Sequence, residues 1–537
     1  MFNRQKKTRE RFTESFGKVK DDSFNFDLID RYFRKKDHSG SLQVLSDKTC
    51  KDLDFNELFM MADRTVSKVG QQFFYNTLRT IPLSGDRLKS QERIIKQISG
   101  DSELRLRLQL LLDSLTRDNA YFITSLFQEE HLKKPKWFFV VPVLSFASVL
   151  SIVMLPFTPQ FIFLLIGILL INITIHFWNK RNLYEYAGSI PQLLNLNKTA
   201  KEILKQDLQF DIDPDLPDSI KVIDKIRNRM SFFKLEAKLE SDTEIALWAV
   251  LELSKSLFLL EPLLLFGVLE KLDTKRQEIE KVFSFVGSVD SLISIASLRN
   301  GLDVHCLPEI GNRGRFLETE GVYHPLIPDC VPNSITVNGK SILLTGSNMS
   351  GKTSFIRTIG LNAITALTIN TCFAKSFCLP RLKIFSAIRI SDDLMNDKSY
   401  YFEEVLTIKE MIENSHNKES VLFLLDEIFK GTNTIERISA GKAVLSYLNS
   451  GNNIVFVSTH DIELADMLDD TYELYHFSEQ VENKTVDFDF RLKTGKLKNR
   501  NAIRILEIND YPKEIISEAI EISGELDKLF RFEITLN

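Results

Sequence analysis

The chain has 537 residues, too many for one ordinary hydrophobic core, so about two to four domains are expected. Its formal net charge of −5 excludes the globally basic surface of the simplest nucleic-acid binders and leaves only local basic patches. The five cysteines (Cys50, Cys306, Cys330, Cys372, Cys378) are scattered and show no Cys-x-x-Cys or Cys/His metal spacing, which fits packing residues in a reduced cytosolic environment.

Residues 1–45 begin with Arg4, Lys6, Lys7, Arg9 and Arg11, and no apolar run follows them. That pattern is not a signal peptide and reads as a solvated basic tail rather than a DNA-binding arm. Residues 46–130 repeat apolar positions at three- and four-residue spacing, as in LDFNELFMMADRTVSKVGQQFFYNTLRTI, and predict amphipathic helices packed on one another.

Residues 131–181 change character. The runs 137–155 and 161–178 carry no Asp, Glu, Lys or Arg and are joined by a short Pro-containing turn. Each is as long as the hydrocarbon thickness of a bilayer requires of a helix. Lys133, Lys134 and Lys136 precede the pair, and Lys180 and Arg181 follow it, so both ends are expected on the cytoplasmic side. Trp137 and Trp178 would then share one interface. The competing reading, a buried hairpin inside a large soluble core, is disfavoured by two such long runs without charge. Residues 182–300 are helical again. The apolar stretch 247–272 is interrupted by Glu252, Lys255 and Glu261, and Pro262 is expected to kink it. It reads as a core or interfacial helix, not a third span. A long helix then ends near Gly301.

From residue 301, β-branched apolar runs alternate with helices: SILLTG, VLFLLDE and NIVFVSTH. This alternation predicts a parallel sheet with ligand groups at the strands' carboxyl ends. Gly346-Ser347-Asn348-Met349-Ser350-Gly351-Lys352-Thr353, followed by Ser354, fits G-x-x-x-x-G-K-[ST] between a strand and a helix. Such a loop points backbone N–H groups at phosphate, with the helix dipole behind them. Lys352 is expected to reach the β- and γ-phosphates of ATP, and Thr353 to ligate Mg²⁺. Asp426, at the end of VLFLLDE, is expected to hold the magnesium shell, and Glu427 to orient the attacking water as catalytic base. His460, just past a third strand, can bond the γ-phosphate or the water, or be structural.

Together these segments resemble the MutS family of mismatch-repair ATPases. TGSNMSGKTS, LLDEIFKGTNT and STHDIEL are similar to its three ATPase motifs, ISDDLMNDKSYYFEEV to its signature segment, and YHPLI and VPNSI to the lead-in before the first core strand. NAIRILEINDYPKEIISEA resembles its C-terminal dimerisation helices. The resemblance implies an α/β P-loop NTPase domain of the ABC type at 301–537. It would follow an all-α MutS-like core (46–130) and lever region (182–300), with a transmembrane helical hairpin (131–181) between them. It further implies a homodimer in which Ser399 of one copy completes the other's ATP site, DNA (mismatched or branched) as ligand, and a downstream repair protein as partner. The family's amino-terminal mismatch-reading domain has no counterpart before residue 50. Asp397-Lys398 and Tyr400-Tyr401 stand where the family has Gly-Arg and Thr-Phe. The expectation is a DNA-binding ATPase anchored at the membrane through 137–178, with its ATPase domain in the cytoplasm. The alternative is an ATP-driven dimerising membrane protein that acts on a protein partner. A transporter is disfavoured, since one hairpin per copy gives too few spans for a substrate path.

Overall fold

A computed structural model describes the chain except at residues 1, 209–212, 228–229, 231–244, 312–313, 348, 390–399, 417–418, 483–484, 498–502, 504–505, 508, 510 and 535–537. Two compact units emerge: one formed by residues 1–39, 62–77 and 84–302, the other by 40–61, 78–83 and 303–537.

The first unit is helical. Its main helices are α1 (Asp86–Gly100), α2 (Ser102–Leu112), α3 (Val140–Met154), α4 (Phe161–Ala187), α5 (Ser189–Leu204), α6 (Ile245–Phe258), α7 (Leu260–Asp273) and α8 (Arg276–Asn300). Among the described residues, three helical segments are long and apolar enough to cross a bilayer: Lys136–Met154, Phe161–Lys180 and Arg276–Asn300. They part company on burial. Only 17% of the apolar window is buried in each of the first two, against 89% in the third. The third, α8, is therefore a core helix. The first two present large apolar side chains outward, among them Phe139, Phe146, Phe163 and Leu170. Trp137 and Trp178 meet edge-on with ring centroids 4.8 Å apart.

The stretch expected to be one kinked helix is two. The chain breaks at Leu259, which takes a left-handed φ of 47°, and Pro262 sits in the first turn of α7. There its missing N–H breaks no helical hydrogen bond, so the proline starts a helix and does not bend one.

The centre of this unit is packed around α8. Phe283 lies against Tyr32 and Phe127, with ring centroids 4.8 and 5.3 Å away. The fully buried Asp290 accepts hydrogen bonds from the backbone N–H groups of Val66 (2.8 Å) and Ser67 (2.7 Å) and from the Ser67 hydroxyl (2.6 Å). These bonds satisfy donors at the start of the helix Lys68–Arg79, where a carboxylate also complements the helix dipole. A residue without a side chain is needed at position 70, because a Cβ there would lie 2.1 Å from Asp290 Oδ2.

The second unit carries a six-stranded sheet. Its strands are β1 (Ser341–Thr345), β2 (Leu382–Ala387), β3 (Ser420–Asp426), β4 (Ile454–Thr459), β5 (Tyr472–His476) and β6 (Lys493–Thr494), in the order β6-β5-β1-β4-β3-β2. All pairings are parallel except β5 with β6. Every residue of β1 and β4 is buried, as expected of parallel strands covered on both faces. The helices are α9 (Lys352–Ile369), α10 (Tyr400–Asn414), α11 (Thr434–Leu448) and the terminal α12 (Lys513–Ile534). A four-stranded sheet (Glu309–Gly311, Phe316–Val322, Asn333–Asn338, Ser376–Pro380) completes the unit. The parallel register places the ends of β1, β3 and β4 side by side: Thr345 pairs with Thr459, and Ser458 with Asp426.

Replacing Gly70 by alanine forces the Asp290 carboxylate off its three donors. Thermal unfolding of Gly70→Ala should show a loss of roughly 2 kcal/mol relative to the unmodified chain; an unchanged midpoint would contradict this packing.

Candidate active site

The chain must turn from the buried strand β1 into α9 within six residues. Gly346 and Gly351 do this at φ 152° and 107°, and Met349 is also left-handed at 69°. A Cβ on Gly346 would lie 2.8 Å from both the Phe477 carbonyl oxygen and Ser350 Oγ, so the loop closes only with glycine there. Lys352 opens α9 and folds its side chain back over the loop. Its Nζ donates to the carbonyl oxygens of Gly346 and Ser347, both at 2.8 Å. Burial lowers the pKa of this ammonium, opposed by the carboxylates of Glu427 and Asp426. The Ser350 hydroxyl is buried in the same cradle with no hydrogen-bond partner among the described residues.

Thr353 Oγ1 donates to Asp426 Oδ2 at 2.8 Å, and the Ser458 hydroxyl meets the other carboxylate oxygen. Asp426 ends β3, so this bond ties the glycine loop to the sheet. Glu427, the next residue, takes φ 53° and donates its N–H to the Ser458 carbonyl at 3.0 Å. Left-handed backbone at a non-glycine residue is strained, and here it turns the carboxylate away from the strand line. The Glu427 side chain lies between His460 Nε2 and Lys430 Nζ, the latter at 2.5 Å. Burial alone would raise the pKa of this carboxyl, but the hydrogen bonds from His460 and Lys430 outweigh it and hold it at about 2. Glu427 is therefore ionised across the physiological range.

Ser347, Met349, Ser350, Gly351, Lys352, Thr353, Ser354 and Glu427 line one cavity of about 330 Å³. Asp426 and His460 join it through Thr353 and Glu427. Two expected site residues, Asn348 and Ser399, lie outside the described residues.

Several members of the site receive no role from the sequence, His324 and Asn333 among them, although their segments YHPLI and VPNSI resemble the lead-in to the first core strand. Lys430 and Ser458 had no signal beyond their proximity to recognised motifs. Glu479 accepts from the Ser347 hydroxyl at 2.7 Å across 132 residues of chain. On the far wall, Asn333 accepts from the Leu492 N–H (2.8 Å) and donates to the Phe490 carbonyl (3.0 Å), which sets the Phe490 ring along the cavity. His324 lines the same wall. Asp52 and Asp54 were also missed. The fully buried Asp52 accepts from Ser386 Oγ (2.7 Å) and from the N–H groups of Ile388 (3.1 Å) and Arg389 (2.9 Å). Asp54 pairs with Arg389 (2.5 Å) and with Arg357 of α9 (3.4 Å), linking the helix after the glycine loop to the chain just before residue 390.

Burial pushes the His324 imidazole down to about 4, against the opposing pull of Asp54. A depressed folded-state value means that stability is fully present above the ordinary value of about 6.5 and declines as pH falls from there toward about 4. In denaturant titrations between pH 7 and 4, His324→Gln should lose on the order of 3 kcal/mol of that decline. Parallel pH profiles for both proteins would contradict a buried neutral imidazole.

Comparison with known proteins places the same segment. Residues 342–527 match the family MutS domain V. The DNA mismatch repair protein MutS of Fusobacterium nucleatum is 29% identical over 266 residues, which is 45% of this chain and 29% of that protein. The Listeria welshimeri DNA mismatch repair protein MutS is 30% identical over 283 residues (50% and 32%), and the Saccharomyces cerevisiae DNA mismatch repair protein MSH3 29% over 279 (48% and 27%). The match spans 27–32% of the length of these relatives. Through residues 342–527, then, this chain is similar to domain V of the MutS family.

Proposed function

We propose that the protein is a MutS-type ATPase that binds ATP with Mg²⁺ at residues 346–354, hydrolyses it, and uses the cycle to act on DNA from a membrane-anchored position. One observation carries this reading: Lys352, Thr353 and Glu427 line one cavity, and Asp426 and His460, from the ends of two neighbouring strands, bond to Thr353 and Glu427 at its edge. The names of the relatives, DNA mismatch repair proteins, supply the DNA half of the proposal.

The residues fit the substrate and its metal. The Lys352 ammonium rests on two carbonyl oxygens and the Ser350 hydroxyl has no hydrogen-bond partner among the described residues, so both can turn to phosphate oxygens. The Thr353 hydroxyl and the Asp426 carboxylate form the hard-oxygen pair that would hold Mg²⁺. When bound, the metal neutralises charge developing on the transferred phosphoryl group. Glu427, kept ionised by His460 and Lys430, accepts the proton of the attacking water. His460 holds that carboxylate in place, and Ser458 fixes Asp426. Ser399 of a second copy would complete the site, which makes turnover dependent on protein concentration. The membrane half of the proposal rests on the outward apolar faces of α3 and α4.

Lys352→Ala should abolish ATP binding; tight binding by that variant, read by equilibrium dialysis, would remove the phosphate-cradle assignment. Glu427→Gln should retain ATP binding and lose hydrolysis by about 100-fold or more, accumulating as a closed dimer on size exclusion. Normal turnover would deny Glu427 its role as base. The DNA half is tested by retention of homoduplex, mismatched and branched DNA on the detergent-solubilised protein, with and without ATP. A steep salt dependence is expected. ATPase activity without retention of any of the three would favour a protein partner in the membrane instead.

A further inference from the structure

The hairpin carries no Asp, Glu, Lys or Arg over residues 137–178, yet it does not present an apolar surface on every side. Ser145, Asn172 and His176 face inward and meet the pair α6–α7, and Ser148 accepts from Asn172 across the hairpin. The break between those two helices frees the carbonyl groups of Leu257 and Phe258. Asn172 Nδ2 donates to the first at 2.7 Å and Ser145 Oγ to the second at 2.8 Å. Both donors sit at mid-span: Ser145 is central in Lys136–Met154, and Asn172 lies eight residues before the end of Phe161–Lys180, ~12 Å along a helix.

The rest of α6–α7 follows the same depth scale. Phe266 packs against Phe138 and stacks on Trp178, with ring centroids 4.9 and 6.3 Å away, level with the tryptophans at the hairpin's base. Glu270, near the end of α7, pairs with Lys134 just before the hairpin at 2.5 Å. On α6, Glu252 pairs with Lys180 at 3.2 Å. Each helix has 14 residues, ~21 Å, too short to span ~30 Å of hydrocarbon but long enough to reach its middle and return.

The three charges that argue against insertion are paired. Lys255 Nζ bridges Glu252 Oε1 (3.0 Å) and Glu261 Oε1 (2.9 Å), and His176 lies between the other oxygens of the same two carboxylates, at 3.1 and 3.6 Å. Lys255, Glu261 and His176 are each at most 2% exposed. What α6 turns outward is Val250 and Leu253, 62% and 55% exposed, continuing the apolar surface of the hairpin.

We propose that residues 245–273 enter the same bilayer as the hairpin, as a re-entrant helical pair whose tip at Phe258–Leu260 reaches mid-membrane and whose outer face is covered by lipid acyl chains. The inference rests on the membrane reading of residues 137–178. Irregular backbone at membrane depth is tolerated only where protein satisfies it, and Ser145 and Asn172 do so here. Intramembrane charges are tolerated where they face the bundle interior and pair, as this ring does. The anchor is then a four-helix module, and α7 passes into the core helix α8 through Thr274 and Lys275.

The test places an environment-sensitive fluorescent amino acid, one site at a time, at positions 253, 260, 146 and 130 of the full chain. The protein is reconstituted in phosphatidylcholine/phosphatidylglycerol vesicles containing nitroxide-labelled acyl chains. Positions 253 and 260 should be quenched at least two-fold, with 260 favouring the mid-chain nitroxide as 146 does, while 130 stays unquenched. Should 146 be quenched and both 253 and 260 not, the re-entrant pair is refuted and the hairpin stands. A blue-shifted but unquenched signal at 253 also refutes it, since protein and not lipid would cover that face. If 146 is unquenched too, the membrane reading itself falls, and the inference with it. Should substitution at 260 prevent folding, position 253 decides alone.

Discussion

The hydrogen bond from Thr353 to Asp426 is the constraint on which the candidate active site depends. It joins residues 73 positions apart and exists because β1 and β3 flank β4 in parallel register. A parallel sheet ends all its strands on one side, so a glycine loop after one strand and a carboxylate at the tip of another meet without any further device. Ser458, on the strand between them, closes the arrangement by holding Asp426 and by accepting the Glu427 N–H. Thr353 at the start of α9, Asp426 at the end of β3 and Ser458 near the end of β4 thus fix the orientation of each other's polar groups. The strained turn at Glu427 is held by this lattice of bonds.

A second layer of bonds supports the first. Asp52 binds two consecutive N–H groups at Ile388 and Arg389, and Asp54 reaches both Arg389 and Arg357. Buried carboxylates are costly unless satisfied, and Asp52 receives three donors. The chain leading to residue 390 is therefore anchored to the same helix that begins at Lys352. Geometry at one end of α9 is set by the glycine loop and along its side by Asp54, so a change in one has a rigid element through which to act on the other.

The helical unit shows how polar groups are accommodated when the surroundings are apolar. Asp290 sits in the core because it caps a helix start with three hydrogen bonds. Lys255, Glu252, Glu261 and His176 form a closed ring between helices that otherwise expose leucine, valine and phenylalanine. In both places a local violation of apolar patterning is resolved by partners distant in sequence. The outward faces of α3 and α4 remain apolar and exposed, which distinguishes them from α8, also long and apolar enough to span a bilayer but buried.

The sequence by itself determined the elements whose signal is local. The glycine loop, the acid pair after VLFLLDE and the Thr-His after NIVFVS each announce a strand end with its chemistry, because the required residue types are adjacent in the chain. The two uncharged runs and the long helix ending at Gly301 were legible for the same reason. Tertiary structure alone decided what depends on partners far away: that α8 is core while α3 and α4 face outward, that Leu259 breaks a helix Pro262 was expected to bend, and that Lys255 pairs with both Glu252 and Glu261. It also decided that Lys430 and Glu479 bond to residues of the site, and that Asp54 ties α9 to the chain before residue 390. A periodic pattern states which face of an element is apolar. It does not state what that face meets, since burial and charge pairing are properties of contacts, and contacts are fixed only when the chain has folded.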